Sequence, residues 1–384
     1  MVLKTSSRGQ IPAFIVMDVM QAAAEREAAK EAVYHLEVGQ PGTSAPAGVI
    51  EAARAALDDD RLAYTVALGL PELRRAIAKR YTDYYGADVA PERIVVTTGS
   101  SGGFVLAFLS VFDVGDRVAM AAPGYPCYRN ILSALGIEPV LLMTDASHRF
   151  QPIPELLDKA MGEAPLDGLI VASPSNPTGT MLEPDALKEL ADYCDTHGIR
   201  LISDEIYHGI TYGRKAATVL EYSSSAIVLN SFSKYFSMTG WRLGWMVVPE
   251  DVLRAVECLA QNFFISPPTL SQIAGIAAFD CIEELDGNVA RYAENRELLL
   301  DRLPKAGFED LAPADGAFYI YADVTRMTND SEALCRKILH ETGVAVTPGV
   351  DFDPERGNRF IRFSFAESNR EIAGAAEALI DWNG

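Results

Sequence analysis

The sequence is poor in cysteine, in basic residues and in long apolar runs. Its five cysteines are scattered and none belongs to a C-x-x-C pair, so reduced thiols are expected rather than disulfides or a cysteine metal site. No run reaches the roughly 18 apolar residues that a membrane-spanning helix needs. The N-terminal segment MVLKTSSRGQ lacks the apolar core of a secretory signal. These absences predict a cytoplasmic protein with no membrane segment.

Positive charge is scarce, because 33 Lys and Arg face 53 Asp and Glu, which gives a formal net charge of −20. The overall field of so acidic a chain does not attract nucleic acid or an anionic membrane. An anionic ligand would have to be held locally, by arginines, backbone N–H groups and helix N-termini. The five histidines show no H-x-x-x-H spacing, so no metal site is predicted.

The middle of the chain alternates short apolar segments with amphipathic ones. Apolar strands separated by helices indicate a mostly parallel sheet covered on both faces, which is a three-layer α/β/α domain. The predicted strands are 94–98, 117–121, 168–172, 200–203 and 227–230, and the predicted helices include 102–112 and 184–197.

The pattern changes after residue 270, where predicted helices at 272–285 and 288–303 precede predicted strands at 317–321, 344–347 and 360–365. This order is typical of a smaller α+β domain. A chain of 384 residues is long for one core. We therefore predict an N-terminal arm and helix (1–44) that packs with the small domain, a large domain (45–270) and a small C-terminal domain (271–384).

Polar residues follow four of the predicted strands, at the point where each strand ends. These are the segment 98–101, Asn176, Asp204 and the segment 231–234. In open α/β sheets, ligands bind at the carboxyl edge of the strands. The four strand ends therefore predict one common site.

Lys234 is the residue with the most unusual surroundings in this set. Most lysines are solvated on the surface, but Phe232, Tyr235 and Phe236 flank this one. A lysine among aromatic residues loses hydration, so its pKa falls and its free amine can attack a carbonyl. Ser231 and Ser233 precede it and Arg242 follows, so a phosphate could be held beside the amine.

The segment 231–245, SFSKYFSMTGWRLGW, resembles the lysine motif of the class I/II aminotransferases, which are fold-type I enzymes that use pyridoxal 5'-phosphate. Further motifs in the same order extend the resemblance over residues 30–365. The resemblance implies that Lys234 holds the cofactor as a Schiff base. It also implies that the enzyme moves an amino group from an L-amino acid to a 2-oxo acid.

Three motif residues are similar to those that hold the cofactor ring. Asp204, in S-D-E-I-Y, matches the aspartate that pairs with the pyridine nitrogen, and Tyr207 matches a tyrosine that contacts the phenolic oxygen. Asn176, in S-P-S-N-P-T-G, matches an asparagine that contacts the same oxygen and the substrate carboxylate. Without the resemblance, Asp204 could equally be a helix N-cap and Asn176 a turn residue.

The resemblance assigns the phosphate to a second group of residues. A Gly-Ser turn at the start of a helix offers free N–H groups and a positive helix end. Tyr125, in P-G-Y-P, matches the aromatic residue that stacks on the ring, and it joins Lys234 and Asp204 as a predicted catalytic residue. The expected phosphate ligands are Ser100, Ser101, Ser231, Ser233 and Arg242.

Three further residues are assigned to the substrate and to the neighbouring subunit. Arg362 resembles the arginine that grips the substrate α-carboxylate, for which a planar guanidinium fork is suited. Gly39 matches a glycine whose backbone approaches the same carboxylate. Tyr64 matches a tyrosine that reaches the phosphate of the neighbouring subunit, which implies a homodimer. Alternatively, Tyr64 packs locally and Arg362 faces solvent.

Two other functions fit the same motifs. A C–S β-lyase uses the same cofactor residues, and a cofactor-sensing transcription regulator would carry a DNA-binding domain for which the acidic chain leaves no room. A dicarboxylate-specific subgroup has a lysine where this chain has Ser101, and the arm at 11–15 is apolar, as are Phe263 and Phe264. We therefore favour a neutral or aromatic amino donor, with 2-oxoglutarate or pyruvate as acceptor.

Overall fold

The computed structural model describes residues 3–59 and 62–382, which fold into three sheets and the helices around them. The strands are β1 (Tyr34–His35), β2 (Ile94–Thr97), β3 (Arg117–Ala122), β4 (Glu138–Met143), β5 (Gly168–Ala172), β6 (Arg200–Asp204), β7 (Ile227–Ser231), β8 (Gly244–Val247), β9 (Asp310–Leu311), β10 (Tyr319–Asp323), β11 (Val344–Ala345), β12 (Thr347–Pro348) and β13 (Phe360–Ser364). The helices are α1 (Ile15–Ala28), α2 (Ala47–Asp59), α3 (Pro71–Tyr85), α4 (Gly99–Val111), α5 (Pro126–Leu135), α6 (Pro154–Met161), α7 (Pro184–His197), α8 (Glu250–Phe263), α9 (Thr269–Ala278), α10 (Ile282–Arg302), α11 (Ser331–Thr342) and α12 (Asn369–Ile380).

The largest sheet has seven strands in the order β2-β8-β7-β6-β5-β3-β4. Every strand runs parallel to the others except β8, which is antiparallel to both β2 and β7. Alternate residues enter two different cores. Ile170 and Ile202 pack with α4, α5 and α8, whereas Leu169 and Leu201 pack with α3 and α7 on the other face. The predicted mostly parallel sheet between two helical layers is therefore confirmed.

The second sheet is antiparallel, in the order β12-β13-β10-β9, and the short strands β1 and β11 form a parallel pair beside it. Helix α1 contacts β12, and α12 packs along α10. The N-terminal segment is tied to this part of the molecule by hydrogen bonds that Ser364 N donates to Leu36 O and that Leu36 N donates to Ala345 O. None of the described helices combines the length and the apolar character that crossing a bilayer requires.

Some predicted elements are wrong in their limits. The predicted helix 272–285 is interrupted after α9, where Phe279 leaves the helix to pack against Phe232 and Phe236, with ring centroids 5.6 and 5.2 Å away. Helix α10 then continues through Gly287, where a break was predicted. The predicted strand 344–347 is divided between two sheets, as β11 and β12. Strand β8 was missed because its residues were read as part of the lysine motif.

Candidate active site

Polar residues from three of the four predicted strand ends line one cavity of about 660 Å³, and Asp204, from the fourth, lies behind it against the lining residue Tyr128. Ser100 and Ser101 come from the start of α4, and Asn176 and Lys234 come from the turns after β5 and β7. Arg362 of β13 closes the cavity from the second sheet. The structure therefore brings the predicted strand ends together, with residues from both sheets around them.

Lys234 lies in the loop between β7 and β8, and its amine lines the cavity. Its Nζ donates a hydrogen bond to Gly39 O at 2.5 Å and lies 5.7 Å from the centre of the Tyr207 ring. The pKa of Lys234 is lowered to about 8, mainly by burial, with the charges of Arg362 and Arg242 contributing and that of Asp204 opposing. The lowered pKa that the sequence predicted is thus present, and it leaves a usable fraction of free amine near neutral pH.

Asp204 is the last residue of β6 and is 2% exposed. One carboxylate oxygen accepts a hydrogen bond from the Tyr128 hydroxyl, and the other accepts one from Ile206 N at 3.2 Å. Burial raises the pKa of Asp204 to about 6, while these two hydrogen bonds and Lys234 oppose the rise. The carboxylate is therefore held in place and can stay ionised at neutral pH.

Tyr128 is a site residue that the sequence analysis missed. It lies in α5, three residues after Tyr125, so both side chains lie on one face of the helix, with ring centroids 5.3 Å apart. Tyr125 also packs edge-on against Phe14, at 6.0 Å. The spacing Y-P-C-Y at a helix start could have indicated that Tyr128 accompanies Tyr125.

The start of α4 and Arg242 form a cradle for an anion. Gly99 has a φ of 72°, and no side chain caps the first N–H groups of the helix. The Arg242 guanidinium lies against this turn, since a Cβ on Gly99 would be 2.6 Å from its Nη2. Arg242 Nη1 donates to Thr239 O at 2.9 Å, and no carboxylate in residues 3–59 or 62–382 pairs with it. A positive helix end and an arginine without an acidic partner suit a phosphate.

The two predicted serines of the lysine turn take different positions. Ser233 lines the cavity. Ser231 is 1% exposed, and its hydroxyl donates to Leu243 O at 3.3 Å and accepts from Ser233 N at 3.0 Å. Ser231 therefore stabilises the turn in this structure, whereas Ser233 faces the ligand space.

Tyr207 pairs with a second tyrosine that the sequence analysis also missed. The Tyr207 and Tyr319 hydroxyls are 2.7 Å apart, and both rings are buried. Tyr319 also explains why residue 39 is a glycine. A Cβ at that position would lie 2.0 Å from the Tyr319 hydroxyl oxygen. The alternation Tyr319, Tyr321 in β10 showed that these side chains share a face, but not which face meets the site.

Arg362 is 2% exposed and faces inward, as its apolar strand predicted. Its Nη1 donates to Asn176 Oδ1 at 2.8 Å, and its Nη2 donates to Glu37 O at 2.5 Å and to Thr347 Oγ1 at 3.2 Å. The guanidinium carbon lies 4.4 Å from the centre of the Tyr319 ring. Its recorded partners are all neutral, so its charge remains available to a ligand.

Tyr64 lies away from the cavity of its own chain. It is 80% exposed, and the side chains of Val66, Phe263 and Ile265 are each more than half exposed. The two segments that carry these residues are joined by a hydrogen bond from Thr269 Oγ1 to Ala63 O at 2.6 Å. They form one exposed surface, which we call the apolar face (Tyr64, Val66, Phe263 and Ile265).

These residues fit the cofactor that the motifs imply. An amine (Lys234) and an anion cradle (Arg242 and the start of α4) line one cavity, and a buried carboxylate (Asp204) lies directly behind its lining residues Tyr128 and Ile206. They match the aldehyde, the phosphate and the ring nitrogen of pyridoxal phosphate. The match rests on three different chemical groups, each of which would be costly to bury without a partner.

Comparison with known proteins agrees with this geometry. The family described as aminotransferase class I and II matches residues 31–379. Valine–pyruvate aminotransferase from Mycobacterium tuberculosis is 52% identical over 383 residues, covering 99% of this chain and 98% of that protein. Aspartate aminotransferase from Pyrococcus horikoshii is 32% identical and covers 92% of both. The crystal structure of an aminotransferase from Mycobacterium tuberculosis superposes with a TM-score of 0.97 at 52% identity, over 99% of each chain.

Proposed function

The chain belongs to the class I and II aminotransferases, enzymes that depend on pyridoxal phosphate, and from this premise we propose that it moves the amino group of a neutral, apolar L-amino acid to pyruvate or a similar short 2-oxo acid. The apolar wall of the substrate cavity carries this proposal. We do not retain the C–S β-lyase alternative, since the relatives reported above are named for amino-group transfer.

One side of the cavity is lined by the first turns of α1. Phe14, Val16, Met17 and Met20 face it, with Val38 beside them. The cations that line the cavity, among the described residues, are Lys234, Arg242 and Arg362. We assign all three to other groups, namely the cofactor aldehyde, the phosphate and the α-carboxylate.

A donor with a second carboxylate would therefore place that charge against an apolar wall. Burying an ionised group without a partner costs several kcal/mol. A branched aliphatic side chain would instead gain from burial there, at about 0.8 kcal/mol per CH₂ group. The Mycobacterium tuberculosis relative, named for valine and pyruvate, supports the same choice.

We assign the cofactor to residues that meet at the cavity. Lys234 would hold it covalently. Asp204 would keep the ring nitrogen protonated, with Tyr125, Asn176 and Tyr207 around the ring. When bound, pyridoxal phosphate supplies an electron-accepting ring that stabilises negative charge at the substrate Cα. The expected phosphate ligands are Ser100, Ser101, Ser231, Ser233 and Arg242, with Tyr64 of the neighbouring copy.

The protein's own residues would orient the substrate and move its proton. Arg362 and Asn176 would fix the α-carboxylate, with the Gly39 backbone close by, so that the Cα–H bond points at a constant angle. The Lys234 amine, with its lowered pKa, would accept the proton from Cα and return it. Enclosure by α1 would keep bulk water from the reacting atoms.

We also propose that the active unit is a homodimer in the cytoplasm. Its apolar face would meet a second copy, which would cover the four exposed side chains. We keep the proposed division into an arm (1–44), a large cofactor-binding domain (45–270) and a small domain (271–384). The antiparallel sheet β12-β13-β10-β9, which is separate from the seven-stranded sheet, supports a small C-terminal domain, and the pairing of β1 with β11 supports an arm that packs with it.

A panel of amino donors tests the proposed substrate class. The enzyme loaded with pyridoxal phosphate would be assayed with valine, alanine, phenylalanine and aspartate, each with pyruvate. We expect kcat/KM for valine to exceed that for aspartate by about a hundredfold, which corresponds to about 2.7 kcal/mol. If aspartate is the best donor, the proposal is wrong, because the cavity must then hold a partner for the second carboxylate.

A further inference from the structure

Residues 34–39 run from the small parallel sheet directly into the active site. Tyr34 and His35 pair with β11 as strand β1. Further along, Glu37 O accepts the hydrogen bond from Arg362 Nη2 at 2.5 Å, and Gly39 O accepts the one from Lys234 Nζ at 2.5 Å. The main chain of this segment therefore contacts two of the three cations that line the cavity, Lys234 and Arg362.

The side chain of Glu37 points toward His35 and not into the cavity. The chain bends at Glu37, and Val38, Gly39 and Gln40 line the cavity whereas Glu37 does not. The Glu37 side chain is 1% exposed. Its Oε1 lies 2.9 Å from His35 Nδ1, while Oε2 has no hydrogen-bond partner among the described residues. A buried carboxylate needs a cation, and His35 is the group in contact with it.

Several other charged residues lie near His35. Its Nε2 lies 3.2 Å from Glu27 of α1, and its backbone N–H donates to Glu371 of α12 at 3.1 Å. The Glu367 carboxylate interacts through its charge with His35, Glu37 and Glu371, and also with Arg291 of α10. The hydrogen bond to Glu37 is the main cause that raises the pKa of His35 to about 9, with the Glu37 and Glu27 charges adding and burial opposing. His35 is therefore a cation at neutral pH.

Arg362 is held by neutral groups only. Asn176, Thr347 and the Glu37 carbonyl accept its hydrogen bonds, and its Nε has no partner within the described residues. A carboxylate in contact with Arg362 would compete with the substrate for its charge. Two acids lie near Arg362. Glu37 offers its carbonyl to Arg362 and its carboxylate to His35. Asp351, which acts on Arg362 through its charge, accepts from Ile15 N and Val16 N. Neither carboxylate hydrogen-bonds the guanidinium, which stays available to a substrate.

We propose that His35 and Glu37 are positioning residues for substrate binding: the contact between the half-buried His35 ring and the buried Glu37 carboxylate fixes the main chain at Glu37, and the Glu37 carbonyl orients Arg362 toward the substrate α-carboxylate. This inference rests on the proposed role of Arg362. The pair touches neither substrate nor cofactor, so it acts on carboxylate affinity and leaves the proton transfer at Lys234 unchanged.

The test compares carboxylate binding in matched variants of the enzyme loaded with pyridoxal phosphate. The probe is 3-methylbutanoate, an unreactive monocarboxylate of the proposed substrate size, with KM and kcat for valine measured in parallel. For His35→Gln and Glu37→Gln we expect the probe Kd and the KM to rise about tenfold, equivalent to about 1.4 kcal/mol, with kcat and cofactor content unchanged. Glu27→Gln is the control, because Glu27 contacts His35 but carries no carbonyl to Arg362; its Kd should stay at the wild-type value.

Two further measurements keep the outcome clear. In the unmutated enzyme the probe Kd should rise as pH passes 9, where His35 loses its proton, and Glu37→Gln should lack this rise. Arg362→Lys serves as the reference for carboxylate binding. If Arg362→Lys binds the probe normally, the proposed function of Arg362 is wrong. If it binds weakly while both pair variants bind normally, or if kcat and cofactor content fall in the pair variants together with the affinity, the positioning role is overturned.

Discussion

Burial acts on Lys234 and Asp204 so that each residue is pushed toward its neutral form. The pKa of the lysine falls to about 8 and that of the aspartate rises to about 6. The proposed reaction requires both a lysine that can exchange a proton and an aspartate that stays ionised at neutral pH. Tyr128 is important here, because its hydroxyl donates to Asp204 and opposes the effect of burial.

Removal of the Tyr128 hydroxyl should shift the pH dependence of the reaction. In Tyr128→Phe, Asp204 loses a hydrogen bond that stabilises its charged form, so its pKa rises further. Because activity requires the ionised carboxylate, the acidic limb of kcat/KM should move to higher pH by about one unit, the shift that 1.36 kcal/mol produces. The measurement is a pH profile of kcat/KM with valine.

Tyr81→Phe is the matched control for this shift. Tyr81 is also a buried tyrosine, but its hydroxyl accepts a hydrogen bond from Trp245 Nε1 and does not contact Asp204. Its profile should keep the wild-type acidic limb. An acidic limb that stays in place in Tyr128→Phe would mean that Tyr128 does not set the charge of Asp204.

At the residue level, the sequence predicts those site residues whose neighbours in the chain are themselves informative. Lys234, Asp204 and Arg362 each lie in a motif that limits their chemistry. Tyr319 and Tyr128 were missed because their roles depend on contacts between distant parts of the chain: Tyr319 meets Tyr207, and Tyr128 meets Asp204. No local pattern encodes such a contact.

At the level of secondary structure, prediction succeeded where chain geometry gives a clear start and stop. Strand β5 and helix α7 begin and end where predicted, since Pro184 opens α7 and Gly198, with a φ of 68°, closes it. It failed around α9 and α10, where both segments carry apolar residues at helical spacing and only the packing of Phe279 ends the first helix. Periodicity shows that a face is buried, but it does not show where a tertiary contact interrupts the helix.

Helix α1 is the element that connects stability to substrate choice. Phe14, which precedes it, provides no side-chain cap, and the first N–H groups instead reach a residue from the far end of the chain. Ile15 N and Val16 N donate to the two carboxylate oxygens of Asp351, at 3.2 and 3.4 Å. The negative charge at this helix N-terminus holds the apolar wall of the cavity in position.

Asp351→Asn should therefore loosen α1 and weaken the binding of apolar donors. The substitution removes one acceptor and the negative charge, and a charge at a helix N-terminus contributes about 0.3 to 1 kcal/mol. We expect faster hydrogen exchange in residues 15–28 and a higher KM for valine. Asp330→Asn is the control, because Asp330 caps α11 through Ala333 N at 2.9 Å, and no residue of that helix lines the cavity.

The control should speed exchange in α11 and leave the KM unchanged. If Asp351→Asn and Asp330→Asn have the same KM for valine, the cap of α1 does not contribute to substrate binding and the prediction is wrong.

At the level of the whole molecule, the apolar face is a group of large apolar side chains that a single chain leaves exposed. Ile265 lies there with a φ of 65°, a conformation that β-branched residues avoid and that costs about 1 to 3 kcal/mol. Strain beside an exposed apolar surface is consistent with a surface shaped for contact. The net charge of −20 opposes association over long distances, so burial of this face would have to supply the attraction.

Charge placed on the apolar face should separate the proposed dimer. In the double variant Phe263→Asp, Ile265→Asp, two desolvated carboxylates per chain would oppose the contact, and sedimentation should give the mass of one chain at concentrations where the wild type has twice that mass. Activity should fall with it, because Tyr64 would no longer reach the neighbouring site. Val114→Asp is the control, since Val114 is 72% exposed on another surface.

The control variant should keep both the mass and the activity of the wild type. A fully active wild-type monomer, or a double variant that remains dimeric, would show that this face is not the interface.

The antiparallel course of β8 has one more consequence. The turn that carries Lys234 and Arg242 is closed at its base by pairing of Ser231 with Gly244 and by the hydrogen bond from Phe232 N to Leu243 O at 3.1 Å. Closing so short a loop costs little chain entropy, so the backbone positions of these two cations relative to each other are set locally, while Gly39 and Gly99 contact their side chains. Arg362, in contrast, is oriented by groups hundreds of residues away in the chain. On the proposed roles, the covalent anchor of the cofactor lies in a locally closed unit, whereas recognition of the substrate carboxylate depends on contacts between the two sheets. Partial unfolding at the joint between the sheets should therefore weaken carboxylate binding before it disrupts the loop that carries Lys234.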